Sequence, residues 1–196
     1  PIHKWGDSEW SFLKRIKESK PDLRLITFHL ASCCDEPKLV ENMFELGGRE
    51  YSRDEMLDFA KKNFADIKNL FGDGVFIAVE NNNYYPTEAY RDVTEASFIS
   101  KVVKGNDLKF LFDLSHARVT CYNKNINFER YKNDLPLDHT IQLHICTFGI
   151  DKEKGLAYDA HNYPDEEELL EIQKLVKNYK SIEYLTVEYY RDIENL

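Results

Sequence analysis

Five short runs limit the folds open to this chain: LRLITFHL (residues 23–30), VFIAVE (75–80), LKFLFDL (108–114), TIQLHIC (140–146) and IEYLTVEYY (182–190). Their hydrophobicity is continuous rather than alternating. A strand with one face in water alternates apolar and polar side chains, so a continuous run marks a strand covered on both faces. Helical patterns separate the runs. Residues 7–20 place Trp10, Leu13 and Ile16 on one face and stop before Pro21. Residues 52–71 open with Ser52 and Glu55 at capping-box spacing, continue with Met56, Ala60, Phe64 and Ile67, and are followed by Gly72. Residues 95–104 bury Phe98, Ile99, Val102 and Val103 and end at Gly105. Residues 165–180 follow Pro164, carry Glu166, Glu167 and Glu168 in the first turn, where the helix dipole favours them, and bury Leu169, Ile172, Val176 and Tyr179. Strands alternating with helices predict parallel βα units and an α/β fold. Residues 33–51, with Gly47 and Gly48, and residues 121–139 are expected to be long loops.

At 196 residues and 42% hydrophobic content, one domain over 1–196 with one core is expected. The 35 acidic residues outnumber the 26 basic ones, which are scattered, giving a formal charge of -9. That argues against nucleic acid and against an anionic membrane face. No apolar run approaches the ~18 residues of a membrane span, and no signal-like segment is present, so a soluble cytoplasmic protein is expected. Cys33, Cys34, Cys121 and Cys146 lack CxxC spacing and read as reduced thiols in the core or a pocket rather than zinc ligands.

The ionisable residues follow a positional rule. Each predicted strand carries a potential metal ligand at or near its C-terminal end: His29, Glu80, Asp113, His144 and Glu188. In a parallel α/β barrel those ends converge on one mouth. Taken singly, a strand histidine is more often a hydrogen-bonded core residue, and Glu80 or Glu188 could pair with Arg91 or Arg191. Taken together, three acids and two imidazoles at one mouth need a compensating cation, because buried unpaired charge costs several kcal/mol. His116 follows Asp113 by three residues, and Asp159 and His161 lie two apart in YDAHNYP, read as a loop leading into a helix. Alone, Asp159 would be a turn former and His161 a solvated histidine; an extended i, i+2 pair, however, can chelate one ion. His3 and His139 have no such placement. Eight oxygen and nitrogen ligands suit two or three ions, with Glu80 or Asp113 as a bridge. Imidazole with carboxylate fits iron, zinc or manganese better than calcium or magnesium and does not choose among the three.

The order of these motifs resembles the xylose-isomerase-like TIM-barrel superfamily: a strand-end His29, EN (Glu80, Asn81), DxxHA (113–117), a strand-end His144, DxH (Asp159, His161) and a final Glu188. Within it, VENNNYYP, DAHNYPDEEELLEIQKLV and YLTVEYYRD look most like the multinuclear non-haem iron oxidases. Endonuclease IV is a relative with a similar trinuclear site, but its DxH leads into a glycine-containing loop that is lacking here. The resemblance implies iron, two or three ions, and O2-dependent modification of a peptide, characteristically at cysteine. It implies that Glu80 bridges two ions and His29 completes one. Asp113, His144 and Glu188 would complete the second, and His116, Asp159 and His161 the third.

The resemblance implies alternatives as well. A sugar isomerase or epimerase would act on a small molecule with one divalent ion held by Glu80, Asp113, His144 and Glu188, without His161. An endonuclease IV-like phosphodiesterase and a non-catalytic partial barrel are the others. A full barrel of this type runs to ~250 residues, so the barrel is expected to be short or incomplete before His29, open, or completed by a partner chain or a second copy.

Overall fold

A computed structural model describes residues 1–190. In chain order the elements are α1 (Asp7–Ser19), β1 (Leu25–His29), β2 (Lys38–Val40), β3 (Met43–Glu45), α2 (Arg53–Phe71), β4 (Phe76–Glu80), α3 (Ala96–Gly105), β5 (Lys109–Asp113), α4 (Leu114–Lys124), α5 (Phe128–Asp134), β6 (Thr140–Ile145), β7 (Thr147–Asp151), β8 (Leu156–Asn162), α6 (Glu166–Asn178) and β9 (Tyr184–Val187). The five apolar runs become β1, β4, β5, β6 and β9. They form one sheet in that order, every neighbouring pair parallel. Each parallel pair is joined by a helical crossover, as βα geometry requires. The result is an α/β half-barrel, in which β1 and β9 are edges rather than neighbours.

Burial follows position in the sheet. The central β4 and β5 are buried along nearly their whole length, as continuous hydrophobicity predicts. The edge strands are not covered on both faces: β1 is half-buried, and Leu185 of β9 is 54% exposed. Helices α2 and α3 supply much of the core through Met56, Phe64, Ile67, Phe98 and Ile99, which pack with Phe110 and Phe112 of β5. Ser52 and Glu55 form the expected capping box of α2. All four cysteines are free and buried.

Three expectations need correction. Residues 33–51 are not simply a loop: β2 and β3 pair as a hairpin whose turn residues Glu41 and Asn42 have φ of 48° and 65°. Residues 121–139 hold the end of α4, all of α5 and a 3-10 turn at Leu137–His139. The inward face of α6 runs through Glu168, Glu171, Ile172 and Leu175, while Leu169 and Val176 are 46% and 44% exposed. That rotation is possible because the inward glutamates have partners: Glu168 meets Arg118 at 2.9 Å and Glu171 meets Lys132 at 2.5 Å.

Candidate metal centre

Strand register assembles the first five residues. Parallel pairing sets His29 beside Glu80 and Asp113 beside His144. Glu188 follows β9 directly, its backbone N–H donating to Ile145 O at 3.0 Å. Asp113 ends β5 and also begins α4: one carboxylate oxygen, Oδ1, accepts the His116 N–H at 2.7 Å as the helix N-cap. That cap turns His116 inward. His116, just beyond the strand, is therefore in the first turn of α4.

Asp159 and His161 lie elsewhere than expected, on β8 of a second hairpin. Thr147 pairs with Asn162 and Gly149 with Tyr158, so one residue of β7 faces Asp159, Ala160 and His161. This is a bulge, and His161 takes a left-handed φ of 46° within it. Bulges commonly re-aim side chains beside functional sites, and a non-glycine residue in this region carries strain that its surroundings must hold. Here the bulge turns both side chains of the DxH motif to the mouth.

All eight residues meet there. Three groups, each with ligand atoms within 4.8 Å of one another, could hold a metal ion: His29, Glu80 and His116; Glu80, Asp113 and His144; Asp159, His161 and Glu188. Glu80 Oε2 lies 3.3 Å from His29 Nε2, while its Oε1 lies 3.4 Å from His144 Nδ1. Glu188 is divided likewise, Oε1 being 3.1 Å from His144 Nδ1 and Oε2 3.5 Å from His161 Nε2. Asp159 Oδ2 lies 2.9 Å from His161 Nε2 and 3.3 Å from His116 Nε2. Two donors bound to one ion at ~2.1 Å sit ~3 Å apart, which is the spacing found.

Electrostatics provide the test of fit. Asp113 Oδ2 and His144 Nδ1 are buried, 3.7 Å apart, and lack a hydrogen-bond partner of proper geometry. Burial raises the Asp113 carboxyl to about 7, although His116 opposes the shift. Burial disfavours charge on His116 and His144, but the surrounding carboxylates outweigh it and raise both to about 10. For Asp159, burial is outweighed by His116 and His161, and the carboxyl falls to about 2. Without a cation, the site balances its carboxylates with protons on imidazole. A metal would take over both tasks, satisfying the orphaned atoms and replacing those protons.

The sequence model of one family, described as RiPP precursor modification enzyme MbnB/TglH/ChrH, matches residues 8–196. The chain belongs to that family. A comparison with curated proteins finds no match. Among solved structures, the chain resembles the 3-keto-D-glucoside 4-epimerase YcjR from E. coli in its apo form, with a TM-score of 0.52 and 12% identity over 97% of this chain and 69% of that one. It also resembles a xylose isomerase-like TIM barrel protein from Mycobacterium smegmatis in complex with magnesium, with a TM-score of 0.54 and 13% identity over 95% of this chain and 62% of that one. These likenesses show the fold, a xylose-isomerase-like barrel of which this chain forms a half-barrel.

Two uncharged residues beside the candidate ligands have roles that their chemistry explains. Asn81, of the EN pair, is fully buried; its amide accepts from Asp113 N at 2.9 Å and donates to Asp113 O at 2.8 Å. Its own carbonyl lies 2.9 Å from His116 Nδ1. A carbonyl only accepts, so Nδ1 carries the proton and Nε2 is left as the ligand atom. Gln142, absent from the sequence reading, sets its amide Nε2 3.0 Å from His144 Nε2 and 2.9 Å from Thr186 Oγ1. With the amide flipped, so that its oxygen rather than its nitrogen faces His144, it would hold the proton on His144 Nε2 and free Nδ1 for the mouth. Its signal was placement alone: it points the same way as His144, two residues earlier on β6.

The excluded histidines bind backbone carbonyls, His3 at Ser32 and His139 at Leu108. Arg91 pairs with Glu50 rather than Glu80, and Arg191 lies outside the described residues. The mouth opens into a cavity of about 500 Å³ that Ala31, Phe44 and Asn83 also line. Among the described residues no helix is long and apolar enough to cross a membrane.

Proposed function

We propose that this chain is a metal-dependent oxidase that holds two or three iron ions at the mouth of its half-barrel and uses O2 to modify a peptide. The observation that carries this reading is the overlap of the three ligand groups: Glu80 belongs to two, and Glu188 reaches from the second to the third. Overlapping carboxylates are what adjacent ions share. Membership of a family described by precursor modification supports a peptide substrate. The mixed imidazole and carboxylate set accepts iron, and zinc or manganese equally. Iron bound there would supply the electron exchange with O2 that amino-acid side chains cannot.

The chain's own residues have separable tasks in this reading. Glu80 would be shared by the first and second ions, and His29 would help hold the first. Asp113, His144 and Glu188 would hold the second. His116, which falls in one group with His29 and Glu80, also faces Asp159 Oδ2 through Nε2 at 3.3 Å; through that nitrogen it would join Asp159 and His161 in holding the third ion, with Glu188 reaching it from the second. Phe44, on β3, lines the cavity at the mouth and would give a bound peptide an apolar contact. The test is metal analysis of protein purified without chelators, beside a His144→Ala/Asp159→Ala double variant. Two or three equivalents are expected in the first and far less in the second; equal, near-zero metal in both would contradict the proposal.

A second reading has its own observation. Glu80, Asp113 and His144 form one group that Glu188 closes at 3.1 Å, enough for the single divalent ion of a sugar isomerase or epimerase. Under that reading His116→Ala and His161→Ala keep the full metal complement. Under the oxidase reading each lowers it by one ion.

A further inference from the structure

Asp159 presents its two oxygens to different surroundings. Oδ2 faces His116 Nε2 and His161 Nε2 at 3.3 and 2.9 Å. Oδ1 accepts from Ser115 Oγ at 3.3 Å and from Cys146 Sγ at 3.4 Å. Both donors are fully buried, and they arrive from separate elements. Ser115 belongs to the first turn of α4, Cys146 directly follows β6, and Asp159 lies in the β8 bulge. Neither donor is needed by the sheet or by a cap. Each is neutral, so neither offers the carboxylate a competing ion pair.

We propose that Ser115 and Cys146 are positioning residues that hold Asp159 as a one-oxygen ligand, keeping a coordination place free on the third ion. The inference rests on the reading of Asp159 as a ligand. A free carboxylate can close on an ion through both oxygens. One whose second oxygen is held by two donors cannot do so without breaking both bonds. The place left free is open to a small molecule or to a substrate atom entering from the mouth. A chain that only needed to satisfy a buried carboxylate could have used any donor on either oxygen. Here both donors fall on the oxygen turned away from the imidazoles.

The experiment is an anaerobic titration with cobalt(II), whose absorption reports coordination number, on wild type, Cys146→Ala, Ser115→Ala/Cys146→Ala, Cys146→Ser and Asp159→Ala. The double variant is expected to bind its last equivalent about 10- to 100-fold more weakly, the range for removal of an outer hydrogen bond to a ligand, with a changed band intensity. Cys146→Ala should show a smaller change of the same kind and covers a failure of the double variant to fold. Cys146→Ser, whose hydroxyl can still donate, should restore the wild-type spectrum. Wild-type affinity and spectrum in the double variant overturn the inference, even with a lower melting temperature, because a purely structural role would show that result. Asp159→Ala separates the two failures. If it loses one equivalent while the double variant does not change, the inference alone falls; if it binds cobalt like wild type, the third position falls and takes the inference with it.

Discussion

Asp113 uses one carboxylate twice, capping α4 through Oδ1 and facing the mouth through Oδ2. Asp113→Asn separates the roles, since asparagine caps a helix about as well as aspartate. Helix content by circular dichroism should be unchanged, while bound metal falls by at least one equivalent. Asn81→Leu should act on the fold instead. It removes both bonds that tie β4 to Asp113 and leaves a buried N–H and C=O unpaired, a loss of about 2–3 kcal/mol in chemical unfolding. At this scale the sequence was informative where a charged residue interrupts an apolar run: His29, Glu80, Asp113, His144 and Glu188 stand out for that reason. Gln142, Ser115 and Cys146 were not legible as site residues. Uncharged groups of this size are common in cores, and only their distances to His144 and Asp159 mark them.

The elements were legible where periodicity exists. The α2 helix carries a clean apolar stripe and a capping box. By contrast, α4 is buried on most of its surface, with Leu114, Ser115, His116, Ala117, Val119, Thr120 and Cys121 all enclosed. A helix covered nearly all round has no stripe for a periodicity argument to find. The face of α6 was misread because its inward positions include glutamates, which only their partners make tolerable. Lys132→Met tests that: it strips Glu171 of its buried partner and should cost about 3 kcal/mol. Burial opposes the charge on Glu171, but Lys132 and Lys174 outweigh it and hold its carboxyl below the ordinary range. Its stabilisation is thus complete above the unfolded glutamate pKa and lost as pH falls through the lower folded value. Wild type should lose stability in that acidic window, and Lys132→Met should show a weaker dependence. In the second hairpin, a Cβ on Gly149 would fall 2.6 Å from the Tyr158 ring. Gly149→Ala should displace Tyr158 beside the bulge and raise amide exchange along β8.

At the scale of the whole molecule, five parallel strands bring five of the eight candidate ligands to one mouth, and α4 and the second hairpin add His116, Asp159 and His161, although the sheet spans only part of a barrel. The α/β class and parallel order were readable because both-face burial and helical crossovers leave linear patterns. The extent of coverage was not: β1 and β9 carry the same apolar signature as the central strands yet stand at the edges, half-exposed. Nor could sequence show the hairpin that carries Asp159 and His161, since its bulge breaks the alternation that marks a strand. The central claim at this scale is that the mouth binds several irons. Reconstitution with iron(II) under argon, removal of unbound metal, and an iron count followed by absorption spectra before and after air test it directly. Two or three irons per chain and a spectrum that changes on exposure to air are expected. Retention of no iron, or an iron-loaded protein whose spectrum ignores oxygen, would contradict it.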